Sequence, residues 1–157
     1  MFTAQIEIMY TIQNPSEAAY EKLMNIWEAS VRATHHFLTE DDIRFFKKLI
    51  LEKNYLNHVD LYCIRTEQNV ILGFSGISGN KLEMLFLDPT ARGLGLGKLL
   101  LIHAIDHLYV SEVDVNEQNI DAVAFYEHFG FKTISRSALD GTGKPFPILH
   151  MALTKRV

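Results

Sequence analysis

The segment Arg92-Gly93-Leu94-Gly95-Leu96-Gly97-Lys98 places glycine at three alternate positions between two cations. Glycine lets backbone N–H groups come close to a bound group. The segment comes after an apolar run, Met84 to Leu87, and opens a long apolar helix pattern. A helix start adds free N–H donors and the positive end of a dipole. A glycine loop and a helix start together make a phosphate site. The spacing excludes two familiar versions. A dinucleotide loop needs G-x-G-x-x-G, and here Lys98 occupies the last glycine position. An ATPase loop needs G-x-x-x-x-G-K-[ST], and here Arg92 replaces the early glycine and Leu99 the hydroxyl residue. The pattern that fits is Arg-x-x-Gly-x-Gly, read as Arg92, Gly95 and Gly97.

Such groups act only if strands and helices hold them. Ile6 to Ile12 reads as a first strand. Asn14-Pro15-Ser16-Glu17 reads as a helix start, with Asn14 as cap and Glu17 completing a capping-box pattern. Ala19, Leu23, Ile26 and Trp27 then recur at helical spacing. A second helix is expected from Thr39, where Glu40, Asp41 and Asp42 favour the dipole. Ile43, Phe46, Leu49 and Ile50 mark its buried face, and Trp27 and these aromatics read mainly as core. Strands are expected at Asp60 to Thr66, Val70 to Ser78 and Leu82 to Leu87, with Gly79-Asn80 as a turn. A helix apolar nearly all round spans Leu94 to Leu108, which implies burial. Val113 and Val115 alternate in a short strand. Asn119 caps a helix reaching Phe129, with Gly130 as terminator. Phe131 to Arg136 and Ile148 to Leu153 are final strands, separated by a turn-rich loop over Asp140 to Pro145. This order alone gives an α/β or α+β domain.

Two segments carry a resemblance. Arg92 to Gly97, preceded by Leu85-Phe86-Leu87-Asp88-Pro89, resembles the acyl-CoA pyrophosphate loop and fourth strand of the GCN5-related N-acetyltransferases (GNAT). Asn119-x-x-Ala122-x-x-x-Tyr126-x-x-x-Gly130-Phe131 resembles the segment after the fifth strand in many members. A narrower likeness, to the bacterial YjaB-like acetyltransferases, is carried by Val31 to Leu38, Val115 to Asn119 and Gly143 to Pro147. The resemblance covers most of the chain. It implies an α/β (α+β) acyl-CoA N-acyltransferase fold, with a mixed, mostly antiparallel seven-stranded sheet and about four helices. The fourth and fifth strands would splay apart to admit the cofactor. It implies acetyl-CoA as cosubstrate, and transfer to a primary amine by direct attack in a ternary complex. Arg92 and the N–H groups of Gly93, Leu94, Gly95, Leu96, Gly97 and Lys98 would hold the pyrophosphate. The backbone of Leu85, Phe86 and Leu87 would bond the pantetheine amides like an added strand. Asn119 would bond the pantetheine arm, with Ala122 and Phe125 of its helix beside the cofactor. Asn119 and Tyr126 lie two helical turns apart on one face. Tyr126 would stand at the cofactor sulfur, where a phenol can protonate the leaving thiolate.

The acceptor amine arrives mostly as ammonium, with a reference pKa of about 10.4, and must lose a proton. Glu83 lies on the fourth strand, where the family often places a carboxylate base. Spacing by two puts it on the face of Leu85 and Leu87. His35 and His36 are alternatives, between the first two helices where the family builds its acceptor pocket. Adjacent side chains cannot both point one way, so only one is expected to face the pocket. Asn116 joins them as an acceptor-side residue, and His150 is a third candidate base. The acceptor itself is read by loops, whose side chains cannot be aimed from sequence.

Composition bounds the rest. A chain of 157 residues suits one domain, 1–157. The net charge of −4 argues against nucleic acid as the main partner, since no basic stripe is available. Cys63, the only cysteine, excludes an internal disulfide and multi-cysteine metal sites, and its apolar strand setting reads as a buried structural thiol. His103 and His107 are four apart, but no third ligand accompanies them. They read as an exposed polar stripe with Asp106, and no metal is expected. No signal peptide and no membrane span are expected, so the chain reads as cytoplasmic. A homodimer is compatible with the resemblance. Two other classes stay open: a non-catalytic acyl-CoA sensor on the same fold, and a nucleotide-binding protein.

Overall fold

The structure, a computed structural model, describes residues 9–154. The first strand, β1, is Tyr10–Gln13. The remainder of its expected span, Ile6 to Ile8, lies outside the described residues. The further helices and strands are α1 (Tyr20–Thr34), α2 (Glu40–Glu52), β2 (Asp60–Thr66), β3 (Ile71–Ser78), β4 (Lys81–Leu87), α3 (Leu96–Leu108), β5 (Glu112–Asn116), α4 (Ile120–His128), β6 (Phe131–Ser137) and β7 (Ile148–Leu153). Local chemistry explains most boundaries. Thr39 and Asp42 form a reciprocal capping box at the start of α2. Asn119 caps α4, and Gly130 ends that helix with φ of +96°, a conformation glycine adopts without strain.

One expected start is corrected. Asn14 does not cap a helix; its amide Nδ2 donates to Leu61 O at 2.8 Å, tying the chain to β2. Ser16 precedes a 3-10 turn at Glu17–Ala19 without a side-chain cap, and α1 begins only at Tyr20. Asn14 meets the sheet through a partner 47 residues away, which no local pattern shows.

The seven strands form one sheet in the order β1-β2-β3-β4-β5-β7-β6. Every neighbouring pair is antiparallel except β4 with β5. That parallel pair has only two register positions, Lys81↔Glu112 and Leu82↔Val113. Beyond them the strands separate. The joined end is pinned at several points: Asn80 O accepts from the N–H groups of Ser111 and Glu112 at 2.9 and 3.1 Å, and Lys81 Nζ meets Asp114 Oδ2 at 3.1 Å.

Apolar cores lie on both faces. On one, Leu23, Trp27 and Val31 of α1 and Ile43 of α2 pack with Cys63, Phe74 and Met84. On the other, α3 and α4 cover the sheet, with Leu100, Leu101, Ala104 and Tyr126 against Ile64, Val113, Phe131 and Met151. Full burial of each such leucine contributes about 2 kcal/mol. Exposed ion pairs add little to stability. Arg32 bridges Glu40 at 2.6 Å and Glu28 at 3.0 Å, spanning α1 to α2 across the segment that holds His35.

Gly73 fixes how closely β3 approaches β4. A Cβ there would lie 2.5 Å from Leu87 Cδ2 and 2.9 Å from the carbonyl oxygen of Phe86. The leucine tip can turn; the backbone oxygen cannot without moving β4. Gly73→Ala is expected to destabilise by about 1–3 kcal/mol, read as a lower urea midpoint at unchanged m value.

Candidate active site

The separation of β4 from β5 opens a cavity of about 220 Å³. Leu85, Phe86 and Leu87 form one wall, and Asn119, Ala122, Phe125 and Tyr126 of the α4 segment form another, with Arg92 and Gly97 also on its lining. Nine residues expected at the cofactor from the sequence thus line one space. Past Leu82 the β5-facing edge of β4 has no strand beside it among the described residues. Unpaired backbone groups on such an edge accept an extended ligand as they would a strand.

The glycine loop delivers the start of α3 to this opening. Gly95 stands at the N-cap position with φ of +77°, a left-handed conformation that strains residues bearing a Cβ. No side chain caps the helix, and the first N–H bonded inside it is that of Leu99, to Gly95 O at 3.1 Å. The N–H groups of Leu96, Gly97 and Lys98 therefore lack a capping side chain, an arrangement suited to an anion. The Leu96 side chain is fully buried, so its contribution to a ligand is through backbone. Leu94 is 48% exposed, and Gly93 turns with φ of +80°. A Cβ on Gly97 would sit 3.5 Å from Leu87 and 3.7 Å from Phe125, filling space between two cavity-lining residues. These features fit a pyrophosphate at the helix start and an extended arm along β4.

Tyr126 is 7% exposed, with Phe125 at 5.3 Å and Phe131 at 5.8 Å between ring centroids. Among the described residues no hydrogen bond engages its hydroxyl. Burial pushes the phenol well above its ordinary value, so it keeps its proton near neutral pH and can donate it. Asn119 uses Oδ1 to accept from Ala122 N–H at 3.3 Å, which leaves its Nδ2 donors for a ligand.

A second cavity, of about 360 Å³, lies on the α1–α2 side. Trp27, Val31, Phe46 and Phe146 give it apolar walls, and Glu83, Asp140, Tyr55 and Asn116 supply polar groups. The position of Glu83 corrects the expectation from spacing. Gly76 pairs with Met84 and Ile77 with Leu82, so Glu83 is an extra residue in β4. Such a bulge breaks the alternation of faces. Leu85 and Leu87 pack under α3, whereas Glu83 opens onto the cavity of Phe86 and Trp27. Its Oε2 accepts from the Tyr55 hydroxyl at 3.3 Å. Burial, with Glu83 adding to it, pushes that hydroxyl up to about 12.

The histidines separate clearly. His35 lines the β4 cleft, the second cavity and the space between β4 and β5, a position it shares only with Phe86. His36 is exposed and lines none of them. His150 is engaged on both ring nitrogens, by Asp114 at 2.8 Å and Ser137 at 2.7 Å, so it has no free nitrogen for an amine. His103 is not on an exposed stripe: its ring packs on Tyr62 at 4.9 Å, and its Nδ1 is buried without a partner among the described residues. Asp106 and His107 are exposed as expected. The Cys63 thiol is fully buried, donates to Gln13 O at 3.3 Å and is pushed up by burial, which suits a structural role.

Sequence reasoning missed Ser30 and Thr34 at the cleft and Tyr55 at Glu83. The helix pattern shows where α1 turns its apolar face, but not that one end of that face borders a cavity.

The mixed sheet split between its fourth and fifth strands is the acyltransferase fold that the resemblance implies. The family of the acetyltransferase (GNAT) domain matches residues 34–154. The chain is 38% identical over 144 residues to the peptidyl-lysine N-acetyltransferase YjaB of Salmonella typhimurium, covering 92% of this chain and 98% of that protein. It is 39% identical over 132 residues to the peptidyl-lysine N-acetyltransferase YjaB of Escherichia coli K12, covering 84% and 88%. The solution structure of apo YjaB from Escherichia coli matches with a TM-score of 0.84 at 36% identity, over 92% of this chain and 97% of that one. The chain therefore belongs to the GNAT acetyltransferases, a family of enzymes that use acetyl-CoA. No helix among the described residues is long and apolar enough to cross a membrane.

Burial above all, then His36, holds the His35 imidazole down to about 4, against an ordinary value near 6.5. Between those values the unfolded chain binds the proton and the native protein does not. The stability His35 confers is thus fully present above pH 6.5 and lost as pH falls towards 4. The drop in unfolding free energy from pH 7.5 to 4.5 is expected to be smaller in His35→Gln, by roughly 2 kcal/mol. Urea titrations at both pH values read this difference.

Proposed function

We propose that this enzyme acetylates a primary amine carried on an aliphatic stem, with a peptidyl lysine as the acceptor, by direct attack on acetyl-CoA in a ternary complex. The observation that carries this reading is the placement of Tyr126. It lines both the β4 cleft and the space between β4 and β5, which shares His35, Glu83, Phe86 and Asn116 with the second cavity. A thioester lying along β4 would present its sulfur to the Tyr126 hydroxyl, with an amine entering from the α1–α2 side. Holding both reactants in this geometry supplies much of the rate.

The acceptor class has two supports. The second cavity offers apolar walls for a methylene stem and the carboxylates of Glu83 and Asp140 for an ammonium. Two relatives at 38% and 39% identity are named peptidyl-lysine N-acetyltransferases. Glu83 is exposed and bonded by Tyr55, a setting that draws in a cation. Direct attack is supported by Cys63, the only thiol, which lies in the core away from both cavities.

In the reaction the amine nitrogen bonds the thioester carbonyl carbon. The C–S bond breaks with its electrons on sulfur, and the Tyr126 hydroxyl protonates the leaving thiolate. Tyr126→Phe is expected to lower kcat by about 10²–10⁴-fold. The dissociation constant for CoA should stay within about threefold. Calorimetry and CoA-release kinetics on a lysine peptide measure both. Full activity in this variant would contradict the role of the phenol. CoA binding with no turnover on any amine in the wild-type protein would favour the sensor reading instead.

The buried thiol gives a second prediction. Incubation with acetyl-CoA alone should leave no acetyl group on Cys63 by intact-mass and peptide analysis. A stoichiometric acetyl-Cys63 competent for transfer would overturn direct attack.

A further inference from the structure

We propose that His35 is the catalytic group that removes the proton from the attacking amine, through an Nε2 lone pair held ready by the Thr34 hydroxyl. This rests on the acetyltransferase reading and assigns the base that reading leaves open.

Thr34 has a single hydroxyl hydrogen, which it donates to Ser30 O at 2.7 Å. The same Oγ1 lies 2.7 Å from His35 Nδ1. With its hydrogen committed to a carbonyl, Oγ1 can only accept there, so Nδ1 must carry the hydrogen. A neutral imidazole has one N–H. Nε2 is then an acceptor with its lone pair free. No other protein group among the described residues bonds it.

The backbone holds the ring in place as firmly. His35 N–H donates to Val31 O at 2.8 Å, and His35 O accepts from Leu38 N–H at 3.0 Å. Phe37 packs against the ring at 5.4 Å. A side chain fixed by backbone, neighbour and aromatic contact is unlike the exposed His36 beside it.

Position then selects the function. His35 and Phe86 alone line all three spaces, and Phe86 has no polar atom in its side chain. Of the other candidates, Glu83 lines the acceptor cavity and the strand split but not the β4 cleft, and it is bonded by Tyr55. His150 has both nitrogens engaged. The charged and titratable groups around His35 are Glu83, Tyr55 and Asp140 from the acceptor cavity, and Arg92 and Asp121 from the cleft. Asp114 and Tyr126 face it from the strand split, and His36 adjoins it. Both burial and His36 favour the neutral ring.

Atoms and charge balance in the step. The ammonium first gives one proton to water; the neutral amine then forms the C–N bond to the thioester carbonyl carbon and becomes cationic at nitrogen. That nitrogen loses a proton to His35 Nε2. The C–S bond breaks with both electrons on sulfur, and the thiolate takes the Tyr126 proton. Water then accepts the proton from the His35 imidazolium and returns one to the Tyr126 phenolate.

The test combines tautomer and rate. Long-range ¹⁵N–¹H spectra at pH 7 should show His35 as the Nδ1–H tautomer, and Thr34→Val should lose that preference. His35→Gln should lower kcat on a lysine peptide about 100-fold or more, with CoA affinity within about threefold. Imidazole should restore part of the rate to His35→Gly and none to Tyr126→Phe. An Nε2–H tautomer in the wild type, or a His35→Gln variant within about threefold of wild-type kcat, would overturn the proposal. The two readings fail differently. A wild-type protein that binds CoA but acetylates no amine defeats the proposed function, and the tautomer alone then decides whether Nε2 is free. An active wild type with an equally active His35→Gln defeats only the base.

Discussion

The pairing of β4 with β5 stops after two positions, and the site depends on that stop. An unpaired strand edge inside a sheet leaves backbone donors and acceptors without partners, at a cost comparable to lost hydrogen bonds. The protein keeps the gap by pinning the joined end. Asn80 holds Ser111 and Glu112, and Lys81 holds Asp114. Immediately beyond the last pair comes Glu83, the extra residue in β4. The bulge and the loss of pairing coincide, as expected where a bulge bends a strand and raises its local twist.

That separation gives the two faces of the sheet different tasks. Leu85 and Leu87 turn toward α3, whose uncapped start lies at the cleft. Phe86 and Glu83 turn toward α1 and α2, where the second cavity lies. One strand thereby turns an unpaired backbone edge to the cleft and a carboxylate to the second cavity. The loop over Asp140 to Pro147 completes the wall of the second cavity. Phe146 packs near Phe37 and Phe46 at 5.8 and 6.2 Å, and Lys144 lies 3.6 Å from Asp42, whose carboxylate also caps α2. The loop that lines the second cavity thus also reaches a helix cap.

Much of this was legible in the sequence because its chemistry is written in contiguous residues. The glycine loop needs only neighbours along the chain to define a helix start, and the cap and phenol of α4 need only helical spacing. The order of elements came from periodicity and capping signals, as at Thr39 and Gly130. The illegible parts depend on distant partners. Asn14 obeys the rules of a helix cap, yet Leu61 O takes its amide. Glu83 obeys the alternation of β4 on paper, and a single unpaired residue moves it to the other face. His35 and His36 are indistinguishable in sequence; only the fold turns His35 to the cavities and leaves His36 exposed. The second cavity draws its walls from α1, α2, β4 and the last loop, so no one segment announces it.

In the proposed reading the open edge of β4 and the bare start of α3 receive one extended ligand. Amide hydrogen exchange with and without saturating CoA measures this most directly. The account predicts slowed exchange at Leu85 to Leu87 and at Leu96 to Lys98, with β2 and the joined end of β4 unchanged. CoA bound to saturation with no added protection at those amides would contradict it.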